Sequence, residues 1–135
     1  ELGLLPVMTL HSRLIAINEV SAGSCIGYGA TYICDKDTLV GVVSIGYGDG
    51  YPRSAANGTP VLIKTASGAL RARLIGRVSM DMITIDLNGI ADAQIGDDIV
   101  LWGEDLCADE VAHHVGTISY ELFCQVTKRV IYEYI

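Results

Sequence analysis

The stretch Leu70-Arg71-Ala72-Arg73-Leu74, followed by Ile83-Thr84-Ile85-Asp86-Leu87, alternates apolar and polar side chains at almost every step. A period of two puts one set on each side of an extended chain, so both segments predict strands with one wet face. Upstream, Leu39–Ile45 is a nearly continuous apolar strand, and Pro60–Lys64 follows the turn-like Asn57-Gly58. Val7–Val20 is longer, and its imperfect alternation predicts a bulged strand rather than a flat one. Asp98–Trp102 and Arg129–Ile135 complete the set. Short strands with turn signals at close intervals predict a mainly β barrel or sandwich.

Helix is expected only late in the chain. Asp109-Glu110-Val111-Ala112-His113-His114-Val115 carries acids in its first turn, histidines in its last and Gly116 just beyond. That order suits the helix dipole and a glycine C-cap. Ser119 is positioned to cap a second short helix through Val126.

With 135 residues, half of them hydrophobic and 19% charged, the chain can bury a core of its own. A formal charge of -7 argues against nucleic-acid binding, which needs a basic footprint. No apolar run approaches the roughly 20 residues that span a bilayer, so no membrane partner is expected. The start at Glu1, with no initiator Met and no basic leader, is what a domain cut from a longer protein would show. Cys25, Cys34, Cys107 and Cys124 form no CxxC pair, and each lies beside apolar residues. Reduced, buried thiols in a cytoplasmic protein are the expectation.

The common chemical motifs are missing. Gly46-Tyr47-Gly48-Asp49-Gly50-Tyr51 lacks the spacing of a dinucleotide fingerprint and the Gly-Lys-Ser/Thr of a phosphate loop. Asp35-Lys36-Asp37 begins like a calcium loop and stops. His113 and His114, being adjacent, point about 100° apart on a helix and cannot share one ion, so no metal site is expected. Tyrosines set in glycine remain: Tyr28 in Gly27-Tyr28-Gly29-Ala30-Thr31-Tyr32, and Tyr47 and Tyr51 in the second stretch. They fit turns that cap a barrel end. They equally fit a site where glycines bring backbone close to a ligand and phenols supply donors and acceptors, with Arg53 and Arg77 as cations.

Read in order, Gly27-Tyr28-Gly29-Ala30-Thr31-Tyr32, Ile45-Gly46-Tyr47-Gly48-Asp49-Gly50-Tyr51-Pro52-Arg53, Gly76-Arg77-Val78-Ser79-Met80-Asp81 and Ile118-Ser119-Tyr120-Glu121 resemble the signatures of the alanine racemase C-terminal domain. Pro6-Val7-Met8-Thr9-Leu10 and Ile95-Gly96-Asp97 fit as well, so the resemblance covers nearly the whole chain. It implies a Greek-key-like β-barrel that follows an N-terminal (β/α)8 barrel absent from this chain. That absent barrel would carry pyridoxal 5'-phosphate on a lysine. The resemblance also implies a cytoplasmic bacterial homodimer, arranged head to tail, in which each β domain completes the partner's site. By the same resemblance Tyr28 is the catalytic tyrosine, and the Met80 backbone contacts the substrate carboxylate. Tyr120 bonds the cofactor phosphate, while Tyr47, Arg53, Arg77, Asp81 and Ile118 line the channel leading to the substrate.

The implied chemistry explains those residue types. Racemisation removes the alanine α-proton from one face and returns one to the other, so it needs a base on each side. The cofactor lysine would serve one face and Tyr28 the other. A free phenol titrates near 10, and bringing it to neutrality takes roughly 4 kcal/mol of differential stabilisation. Neighbours on the absent barrel are expected to supply it. A broader-specificity amino-acid racemase, a related decarboxylase and a β-barrel binding module inactive on its own are the alternatives. The decarboxylase is the weaker of these, because Gly-Tyr-Gly-Ala-Thr followed by Met-Asp is the racemase pattern.

Overall fold

The computed structural model describes residues 3–27, 29 and 31–135. Six antiparallel strands close a barrel in the order β1-β4-β7-β6-β5-β8. They are β1 (Leu10–Val20), β4 (Thr38–Val43), β5 (Pro60–Thr65), β6 (Gly68–Leu74), β7 (Ile83–Asp86) and β8 (Asp98–Trp102), and a two-stranded ribbon of β2 (Cys25–Ile26) and β3 (Tyr32–Ile33) is inserted between β1 and β4. The meander β5-β6-β7 returns its last strand to lie beside β4, which is a Greek-key connection. The expected mainly β barrel is therefore present, as are two short late helices, α1 (Ala108–Val115) and α2 (Ser119–Gln125).

The barrel forms because its strands present one apolar row inward. Leu14, Val43, Val61, Ile63, Leu74, Ile85, Ile99 and Leu101 are sealed in a single core. β1 belongs to two pairings at once, and its register shifts between Leu14 and Ala16 against β4 and between Leu10 and His11 against β8. Those irregularities are the bulges that its imperfect alternation predicted. In β7, Asp86 is buried at a polar position because it has partners. Its carboxylate accepts from the Asn88 N–H (2.9 Å) and from Arg73 (3.2 Å).

Three expectations are corrected. The segment 129–135 forms no strand: β8 already pairs with both β1 and β5, so the closed barrel offers no edge there, and Ile131, Tyr134 and Ile135 are exposed. Ser119 does not cap α2 but is its first residue, with Ile118 at the capping position and no side-chain cap bond. All four cysteines are free thiols, yet only Cys34 is buried; Cys25, Cys107 and Cys124 are exposed, because apolar sequence neighbours do not fix which way a short side chain faces. α1 is as expected, with Gly116 in the left-handed conformation closing its end.

Candidate functional site

The chain leaves β4 into Gly46-Tyr47-Gly48-Asp49-Gly50, where Tyr47–Asp49 forms a single 3-10 turn. Asp49 closes the turn on itself: its carboxylate accepts from the Gly46 N–H (2.9 Å), and its own N–H donates to the Gly46 carbonyl (3.0 Å). The turn lies directly on the loop that precedes β7. Tyr47 N–H donates to the Ser79 carbonyl (3.0 Å) and Gly48 N–H to the Met80 carbonyl (2.9 Å). Only glycine permits this approach, because a Cβ at Gly46 would fall 2.3 Å from the Ser79 carbonyl oxygen. Ser79 shapes its own loop: its hydroxyl donates to the Met82 carbonyl (2.8 Å) and accepts from the Met82 N–H (3.1 Å).

Beside this junction opens a cleft of about 600 Å³ whose lining includes Tyr47, Arg53, Asn57, Arg77 and Met80. The Arg53 guanidinium sits 5.5 Å from the centre of the Tyr47 ring, a cation–π contact that fixes both at the mouth. Arg77 runs alongside Gly29, its guanidinium carbon 3.4 Å from where a Cβ there would stand. Neither arginine forms an ion pair among the described residues. Met80 is half exposed, and its backbone N–H donates to no acceptor among the described residues. Two guanidinium groups without an ion-pair partner among the described residues, with a phenol beside them, make a surface suited to a small molecule bearing a carboxylate.

Two further residues build the cleft, and the sequence reading missed both. Asn57 had registered only as half of an Asn-Gly turn. Its side-chain carbonyl accepts from the Gly76 N–H (2.8 Å) and its amide donates to the Thr31 carbonyl (3.4 Å), tying the β2–β3 ribbon to the Arg77 loop. Arg129 had registered as the start of a strand. Its guanidinium reaches Asp81 (2.7 Å) and Asp49 (3.3 Å) together, and the bond to Asp81, helped by Asp49, holds its pKa further above the ordinary arginine value. Asparagine in a turn and arginine in a strand are unexceptional, so no local signal marked either one. Beneath the turn, Tyr51 is buried and its ring stacks against Trp102 at 6.4 Å. Among the described residues the Tyr51 hydroxyl and the Trp102 Nε1 have no hydrogen-bond partner, and burial pushes the Tyr51 phenol pKa upward.

The structure thus brings together Tyr47, Arg53, Arg77 and Met80. Asp81 adjoins them, but its carboxylate is turned to Arg129. Ile118 and Tyr120 are not in the cleft; they stand exposed at the start of α2. The far end of that helix abuts the turn, since a Cβ at Gly50 would meet the Gln125 carbonyl, and the helix is roughly 10 Å long. Tyr28 lies outside the described residues. Among the described residues, no group of three His, Cys, Asp or Glu side chains could hold a metal ion, and no helix is long and apolar enough to cross a membrane.

Comparison with known proteins identifies the family and the fold. Residues 7–134 match the family model described as "Alanine racemase, C-terminal domain". An alanine racemase of Vibrio vulnificus (strain CMCP6) is 56% identical over 130 residues, covering 96% of this chain and 35% of that protein. The crystal structure of the biosynthetic alanine racemase from Pseudomonas aeruginosa superposes with a TM-score of 0.91 at 51% identity, covering 96% of this chain and 35% of that one. The alanine racemase structure from Acinetobacter baumannii gives 0.86 at 41% identity, covering 95% of this chain and 35% of that one. The chain spans about a third of the length of the curated relatives it matches.

Proposed function

The chain belongs to the alanine racemase C-terminal domain family, and from that premise we propose that it is the β domain of a bacterial alanine racemase. The whole protein would be a homodimer that interconverts L- and D-alanine, each β domain completing the partner subunit's site. The observation that carries this reading is the convergence of Tyr47, Arg53, Arg77 and Met80 on one cleft, with the Met80 N–H unpaired among the described residues. An amino acid is a zwitterion with a compact carboxylate, and a backbone N–H flanked by guanidinium groups recognises that group. Tyr47 and Arg53, locked ring to guanidinium, narrow the approach and favour small side chains.

In this reading the Tyr28 hydroxyl oxygen moves the α-proton on one face of the substrate. A lysine of the barrel domain moves it on the other. Gly27 and Gly76 support the role by letting the backbone beside Tyr28 press on the Arg77 loop, where a Cβ at Gly27 would lie 2.8 Å from the Arg77 nitrogen. Pyridoxal phosphate suits part of the donor set: Tyr120 is a 74% exposed phenol able to donate one hydrogen bond to a phosphate oxygen. None of the three lysines, Lys36, Lys64 and Lys128, lines the cleft, so the covalent anchor is expected from the barrel domain. When bound, the pyridoxal ring would draw off the charge left as the α-proton departs. The bacterial relatives and the four free thiols support a cytoplasmic setting.

The test is turnover by the full-length protein loaded with pyridoxal phosphate, offered L-alanine, L-serine and L-lysine. The reading expects D-alanine to form fastest. Equal turnover of all three would favour a broad-specificity racemase, and no turnover of any would defeat the proposal.

A further inference from the structure

Arg129 lies beyond α2 in a segment that carries no part of the expected site, yet it is wired into that site from three directions. Its Nη2 donates to Asp81 Oδ1 at 2.7 Å, and its Nε lies 3.3 Å from Asp49 Oδ1. Its guanidinium also covers Gly48, where a Cβ would stand 2.1 Å from Nη1. The neighbouring backbone repeats the connection: Thr127 N–H donates to the Asp49 carbonyl (3.0 Å), and the Thr127 hydroxyl donates to the Gly48 carbonyl (2.7 Å). Asp49 ends the turn that carries Tyr47, and Asp81 directly follows Met80. One planar fork therefore clasps the two hydrogen-bonded backbone segments that carry Tyr47 and Met80 beside the cleft.

We propose that Arg129 is a positioning residue, which sets the spacing between the Tyr47 ring and the Met80 backbone by bonding Asp49 and Asp81 at once. Lysine cannot do the same, because a single ammonium lacks the rigid fork that reaches two carboxylates in fixed directions. The guanidinium is about half exposed, and exposed ion pairs contribute little to stability, so its effect falls on geometry rather than on folding. The inference deepens the reading of this cleft as an amino-acid site and rests on it.

The experiment uses the full-length enzyme with alanine as the probe. Arg129→Met is expected to raise KM about tenfold, with kcat changed less than about threefold. The thermal midpoint is expected to stay within about 2 °C, as for loss of an exposed pair. Arg129→Lys is expected to fall between, and Asp81→Asn is expected to add little once Arg129→Met is present, because the two act through one bond. Arg71→Met, which breaks the Arg71–Glu110 pair far from the cleft, is the control and should leave KM unchanged. An unchanged KM in Arg129→Met, additive losses in the double variant, or a fall in midpoint and kcat with KM intact would each overturn the positioning role. A parent enzyme that racemises no alanine would fail the underlying reading instead, and the inference with it.

Discussion

Gly50→Ala is the substitution whose cost can be worked out most directly. Gly50 has φ +104, and a Cβ there would stand 2.3 Å from the Gln125 carbonyl oxygen and 2.5 Å from the Val126 Cα. Both are backbone atoms, so no rotamer change relieves the contact, and an ordinary separation begins at 3.4 Å. The segment after α2 has to move by roughly an ångström to restore ordinary contact, or the turn must rotate. The left-handed conformation alone costs a non-glycine residue about 1–2 kcal/mol. Displacement also stretches the Thr127 bonds to the Asp49 and Gly48 carbonyls, each contributing about 0.5–1.5 kcal/mol net. The total is about 2–5 kcal/mol, or roughly 7–18 °C in Tm for a domain of this size. Gly58→Ala separates the two causes, because Gly58 has φ +94 but nothing within 4 Å of its Cβ position. It should cost only the conformational part, roughly 4–8 °C. Thermal unfolding of the two variants side by side, followed by circular dichroism, is the assay. Midpoints within about 2 °C of each other would refute the steric argument and the close docking of α2 on the turn.

Three other outcomes follow from the same geometry. Tyr51→Phe removes a buried hydroxyl that has no partner among the described residues, so stability at neutral pH should hold or rise by about 1 kcal/mol. The buried phenol ionises later than the unfolded one, whose pKa is about 10; wild-type stability should therefore fall as pH rises past that value, and Tyr51→Phe should lose that part of the slope in denaturant titrations at pH 8 and 11. In the full-length enzyme, Arg53→Ala should raise KM for alanine more than it alters the substrate isotope effect. A changed isotope effect with KM untouched would place Arg53 at the reacting atoms. The 135-residue chain alone should unfold cooperatively but interconvert no L- and D-alanine when supplied with pyridoxal phosphate, as chiral chromatography would show.

The barrel was legible wherever one face of a strand is wet. Arg71-Ala72-Arg73-Leu74 and Ile83-Thr84-Ile85 carry the period of two that burial imposes, and the slips in the β1 pattern mark its bulges. The tail at 129–135 misled because Val, Ile and Tyr look like a strand whether or not a hydrogen-bonding edge is free. Closure of a barrel is a property of the whole sheet and leaves no local trace. Leu70 continues the β6 alternation yet is exposed, lying towards the hairpin end of β6 where the core gives out. At the cleft, Tyr47, Arg53 and Arg77 were legible as polar residues in or beside glycine-rich stretches, where close backbone approach demands glycine, whereas Met80 entered only through the family resemblance. Asn57 and Arg129 were not, because their significance lies in partners far along the chain: Thr31 and Gly76 for one, Asp49 and Asp81 for the other.

The central proposal is that this chain supplies a proton-transferring phenol to one face of the substrate, and Tyr28→Phe in the full-length protein tests it most directly. Phenylalanine keeps the ring and removes the one oxygen able to move a proton there. The measurement is washout of the alanine α-proton in D₂O by NMR, with each enantiomer followed separately. Losing one positioned base costs on the order of 10²–10⁴ in rate, and the account predicts that loss for L-alanine while D-alanine exchange, run by the lysine, persists. An equal loss for both enantiomers, or undiminished exchange of L-alanine, would contradict it.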